Sequence, residues 1–82
     1  MVLGPGSQRV LEDNSARRAF AITNVSPVDT DIYLSFFDPA VEFRGLVLLV
    51  GDVFTPETDD PLNRCGLWAT GEGGRLAIQE FV

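Results

Sequence analysis

Between Arg17 and Phe36 the chain carries two short runs in which large apolar residues recur at every second position, with turn formers between them. Phe20 and Ile22 alternate with Ala19, Ala21 and Thr23. After a stretch holding Asn24, Ser26, Pro27, Asp29 and Thr30, Ile32, Leu34 and Phe36 alternate with Tyr33 and Ser35. A period of two gives each set one face of a sheet, and the polar stretch between them interrupts any strand. The pattern predicts two antiparallel strands joined by a longer loop. It also argues against a helical fold: after Asn14 no segment keeps amphipathic spacing over ten residues without Gly or Pro.

The remaining segments read the same way. Residues 46–50, Leu-Val-Leu-Leu-Val, form a continuous aliphatic run ended by Gly51, as expected of a strand covered on both faces, either within a sandwich or by another subunit. Val53 and Phe54 can make a few strand pairs at the start of an acidic loop with two prolines that runs to Asn63. Residues 64–70 and 75–82 predict a terminal hairpin turned by Gly71, Glu72, Gly73 and Gly74, with Leu76 and Ile78 facing opposite to Ala77, Gln79 and Phe81. Together these segments predict an all-β fold of about five to seven short strands, a small antiparallel β-sandwich or barrel. Residues 1–16 open with Gly4, Pro5 and Gly6 and include Val10 and Leu11, which suit a short strand. They read as an extended N-terminal arm, ahead of a single β domain at 17–82. The arm is either a leader followed by an edge strand or a segment that docks on a neighbouring subunit.

An 82-residue chain is one domain, and one of this size buries only roughly 60–65% of the surface its unfolded form exposes. A single cysteine, Cys65, leaves no internal disulfide, and the absence of histidine makes a zinc site improbable. Without those staples, oligomerisation is the remaining common way to bury more apolar area. Phe37 and Phe43 lie in the connection that follows Phe36, where a wholly solvated loop needs neither. They pack inside the domain or meet a partner.

The charge balance is acidic, 12 Asp and Glu against 6 Arg with no Lys, for a net charge of −6. That opposes neutralisation of a phosphate backbone, so nucleic acid is not an expected direct partner. Neither a signal-peptide pattern nor an apolar stretch of transmembrane length is present, which predicts a soluble, non-secreted chain with no membrane partner. With neither His nor Lys, the usual groups for proton transfer or attack at neutral pH are missing, and Cys65 has no imidazole to activate it. The reading is of a protein that is not an enzyme and needs no cofactor. Asp29 and Asp31, with Asp52, Glu57, Asp59 and Asp60, have oxygens suited to calcium but no EF-hand pattern. Trp68 and Tyr33 are the side chains on which a sugar ring could stack, although a lone tryptophan is more often a core or interface anchor.

Several of these segments together carry a resemblance. The order Arg-Arg-Ala-Phe-Ala-Ile-Thr-Asn-Val-Ser, Asp-Ile-Tyr-Leu-Ser-Phe, Gly-Leu-Val-Leu, Cys-Gly-Leu-Trp-Ala and Gly-Arg-Leu-Ala-Ile-Gln-Glu-Phe resembles the small β-sandwich virion proteins of tailed bacteriophages, over about residues 17–81. The loop 52–63 has no counterpart in that pattern. The resemblance implies a non-enzymatic decoration or minor capsid protein that binds and cements the shell, assembled into virions in the host cytoplasm. Its partners would be the major capsid protein and further copies of itself, often as a homotrimer. Leu3, Val10 and Leu11 of the arm, with Phe37 and Phe43, are the expected contact residues. A head-to-tail connector or tail component is the alternative within that class, and a carbohydrate-binding β-sandwich module the alternative outside it.

Overall fold

The computed structural model describes residues 1–58 and 60–82. Over these residues seven strands run as β1 (Gln8–Leu11), β2 (Ala19–Asn24), β3 (Ile32–Ser35), β4 (Leu46–Leu48), β5 (Val53–Phe54), β6 (Leu67–Thr70) and β7 (Leu76–Phe81), with a short 3-10 turn at Pro61–Arg64. They form two antiparallel sheets, ordered β1-β6-β3-β4 and β5-β2-β7. The all-β expectation, with its strand number, is borne out.

The alternation read from the sequence sets the core. Phe20 and Ile22 of β2, Ile32 and Leu34 of β3, and Leu67 and Ala69 of β6 are all fully buried, while their neighbours along each strand face outward. Leu48 and Leu76 join them, and Phe36, Phe54 and Ile78 pack against the cluster. Phe54 meets the rings of Phe20 and Phe36 edge-on at 5.9 and 6.0 Å. Both sheets therefore contribute to one shared core, in which each fully buried large apolar side chain is worth about 1.5–3 kcal/mol.

The strand partners differ from those expected. The two alternating runs are not a hairpin: β2 pairs with β5 and β7, whereas β3 pairs with β4 and β6. The terminal hairpin is likewise absent, since β6 and β7 lie in different sheets. Of the connections between consecutive strands, only β3–β4 stays within one sheet. A loop that crosses from one sheet to the other places both inward faces on the same core, so it preserves the alternation while changing the partner. Residues 64–66 belong to the 3-10 turn and its exit rather than to β6, because Asp60 caps the turn through Leu62 N–H (2.9 Å) and Pro61 begins it.

Residues 1–16 are not an extended arm. Val2 bridges to Arg75, and Leu3 exchanges backbone hydrogen bonds with Gly74 and Gly73 (2.8 and 2.9 Å). β1 forms the edge of the four-stranded sheet against β6. A register shift between Arg9 and Leu11 inserts Val10 as an extra residue, and the two consecutive apolar residues Val10 and Leu11 are both buried. The segment completes the core instead of leaving it.

Two buried polar side chains tie the crossing loops. Asn24, at the end of β2, donates through Nδ2 to the carbonyls of Thr30 and Leu48 (2.8 Å each), and its Oδ1 accepts from Ser26 N–H and Oγ–H. Arg17, 1% exposed, donates to the carbonyls of Glu12, Asn63 and Cys65 and pairs with Glu80 of β7 at 2.6 Å. Gly45 (φ 78°) is required where the chain enters β4, because a Cβ there would lie 2.6 Å from the carbonyl oxygen of Leu34.

Candidate functional site

The surface that stands out lies on the β3–β4 hairpin. The expected cover over residues 46–50 is limited to Leu48; Leu46, Val47, Leu49 and Val50 are all exposed, because β4 is an edge strand and only its last side chain, opposite Ile32, is buried. Sandwich packing thus does not account for this run. The hairpin loop adds Phe37 and Phe43, each 81% exposed. Phe43 stands edge-on to Tyr33 at 5.5 Å, and Val47 is directly opposite Tyr33 in the strand register. These contacts join Phe43, Tyr33 and Val47 into one apolar patch on the outer face of the four-stranded sheet.

Phe43 holds a left-handed backbone, φ 65°, in a turn closed by Arg44 N–H on the carbonyl of Val41. Such a conformation costs a bulky residue about 1–3 kcal/mol, so the ring is presented at an energetic cost. Beside it a groove of about 520 Å³ is lined by Tyr33 and Phe43 together with Thr30, Thr70 and the acids Asp31, Glu42 and Glu72. Desolvation, then the charges of Asp31 and Glu42, hold the Tyr33 phenol above its ordinary pKa.

The five expected contact residues separate into two groups. Leu3, Val10 and Leu11 lie in the chain's own core and are not available to a partner in this fold, whereas Phe37 and Phe43 are exposed. Val47, Leu49 and Val50 were missed as surface residues; their signal was an aliphatic run longer than one edge strand can bury. Trp68 is half-buried, with the Arg9 guanidinium 4.9 Å over its ring, and Arg9 in turn meets Glu12 and Asp13. Cys65 is half-buried where the 3-10 turn ends.

Among the described residues the acids considered for calcium do not converge. Asp52 accepts from Leu49 N–H at 3.0 Å and Asp60 caps the 3-10 turn, while Asp31 lines the groove. Asp59 lies outside the described residues. Among the described residues no three acidic or thiol groups come together as a metal-binding set. No family model, curated protein or solved structure matches this chain.

Proposed function

We propose that the chain is a non-enzymatic structural protein of a phage particle, one that attaches to the capsid shell through the β3–β4 hairpin. The observation that carries this reading is the uncovered apolar hairpin: Phe37 and Phe43 of its loop are largely in solvent, Phe43 joins Tyr33 and Val47 in one patch, and Leu46, Leu49 and Val50 of the 46–50 run are exposed as well. Monomers rarely leave contiguous apolar surface of this kind unless a partner covers it. A strained aromatic within it, Phe43, fits an anchor that fills a pocket on the shell. The N-terminal segment is withdrawn from the docking role, since it is part of the sheet.

Purified particles analysed on denaturing gels test the proposal. Copy numbers in the hundreds indicate decoration, about a dozen indicate the connector or tail role, and absence from particles refutes both. The Phe37→Ser, Phe43→Ser double variant should fold normally, because both rings are exposed, and should no longer remain on the shell. The groove beside Tyr33 supports a second reading, a carbohydrate-binding module, since it combines aromatic rings with hydroxyls and carboxylates. Calorimetric titration with neutral oligosaccharides distinguishes the two: heat that is lost in Tyr33→Ala favours the sugar site.

A further inference from the structure

Among the described residues β7 is the longest edge strand, and its edge is open beyond Leu76. The other edge strands are short or interrupted: β5 has two residues, β4 three, and β1 carries the bulge. At β4 the groups that follow the pairing are already used, with Leu48 C=O accepting from Asn24 and Leu49 N–H donating to Asp52. β7 runs for six residues with neither proline nor bulge.

The pairing with β2 fixes which backbone groups of β7 remain outward. Val25 N–H bonds the carbonyl of Arg75 and Arg18 N–H that of Phe81, so the odd-numbered residues face β2. The even-numbered residues face the other way, as Leu76 shows by exchanging hydrogen bonds with Met1. The amides and carbonyls of Ile78 and Glu80 therefore point along the open edge.

Within β2 and β7 the outward face carries no charged side chain. Its outward residues are Ala19, Ala21 and Thr23 on β2 and Ala77, Gln79 and Phe81 on β7, in a chain with 18 charged residues and a net charge of −6. Glu80 is the one ionisable group of β7, and it is tied to Arg17 at 2.6 Å. Edge strands normally carry a charge, a proline or a bulge that discourages pairing. This edge has none of them facing outward, in a protein whose charge elsewhere opposes self-association.

We infer that β7 pairs antiparallel with β7 of a second copy, about a two-fold axis at Gln79. The register follows from the outward groups. Pairing Ile78 with Ile78 places Glu80 opposite Leu76, whose edge Met1 already occupies, and pairing Glu80 with Glu80 sets like charges opposite each other. Pairing Ile78 with Glu80 of the second copy avoids the like-charge pair and brings only Val82, which lies beyond β7, opposite Leu76. It sets Gln79 against Gln79 and Ala77 against Phe81, and it joins the two three-stranded sheets into one of six. Only a few backbone hydrogen bonds and a narrow strip of side chains are gained, so the association is weak and concentration-dependent. This inference does not rest on the phage reading.

A crosslink tests the register. Residues directly opposite at a non-hydrogen-bonded position of an antiparallel pair sit about 4.5 Å apart at Cα, within reach of a disulfide. With Cys65→Ser removing the native thiol, Gln79→Cys should form a disulfide-linked dimer under mild oxidation, and Ala77→Cys should not. Sedimentation velocity of the unmodified chain over a concentration series should show a monomer–dimer equilibrium, which Gln79→Glu weakens several-fold. A monomer at every concentration, a trimer, or equal crosslinking at positions 77 and 79 overturns the inference.

Discussion

Replacing Arg17 by lysine keeps the charge and removes the fork. The five guanidinium N–H groups are all used: Nε on Asn63 C=O, Nη1 on Glu12 C=O and Glu80, and Nη2 on Glu12 C=O and Cys65 C=O. An ammonium has three donors at one point, so at least two of these bonds are lost and buried carbonyls are left without a partner. At roughly 1.5–3 kcal/mol for each hydrogen bond to a charged group, Arg17→Lys should cost ~3–6 kcal/mol. An 82-residue domain has on the order of 4–12 kcal/mol in total, so the variant folds with little margin. In urea, with a slope of roughly 2 kcal/mol per M, the midpoint should fall by about 1.5–3 M, followed by the fluorescence of Trp68. Arg17→Met removes every donor and leaves the carbonyls of Glu12, Asn63 and Cys65 without their partner, and it should not fold at 25 °C. Glu80 is 45% exposed, so Glu80→Gln should cost only about 1 kcal/mol. A midpoint for Arg17→Lys within about 0.3 M of the parent, at unchanged slope, would refute the claim that the fork holds these segments together.

Two further outcomes follow from the polar groups. Asn24→Asp should lose about 2–6 kcal/mol at pH 7, because it turns a carboxylate oxygen toward the carbonyls of Thr30 and Leu48; burial raises that carboxyl's pKa, so the lost stability should partly return on acidification toward pH 4, as urea midpoints against pH will show. The Tyr33 phenol should titrate above its ordinary value by ultraviolet absorbance, and Asp31→Asn with Glu42→Gln should lower the midpoint without removing the desolvation component. Because the folded pKa is the higher one, this group favours folding below the ordinary phenol value and ceases to do so as pH rises through the folded value.

The core was readable because alternation is a local property. Phe20, Ile22, Ile32, Leu34 and Leu76 point inward as their spacing requires, whichever strand lies beside them. Strand pairing is not local in that sense. β2 and β3 satisfy the same period of two whether they share a sheet or face each other across the core, and the difference lies in loop 25–31. That loop is held by Asn24, whose side chain reaches the carbonyls of Thr30 and Leu48 and so links β2 to β4 of the opposite sheet. A buried asparagine at a strand end was visible in the sequence as a turn former. Its role as the tie between sheets depends on Leu48, 24 residues away.

The same distinction explains the division among the expected contact residues. In a small domain a large apolar side chain either enters the core or stays on the surface, and composition alone does not assign it. Val10 and Leu11 are adjacent, so a regular strand would have exposed one of the two; the bulge against β6 buries both. Leu3 is held in the core by hydrogen bonds to Gly73 and Gly74, a contact across most of the chain length. Once these residues and the β2, β3 and β6 faces have filled the core, no inward position remains for Leu49, Val50 or the rings of Phe37 and Phe43. Their exposure follows from how little one small two-sheet core can hold. It leaves the β3–β4 hairpin, and not the N-terminal segment, as the apolar surface open to the proposed partner.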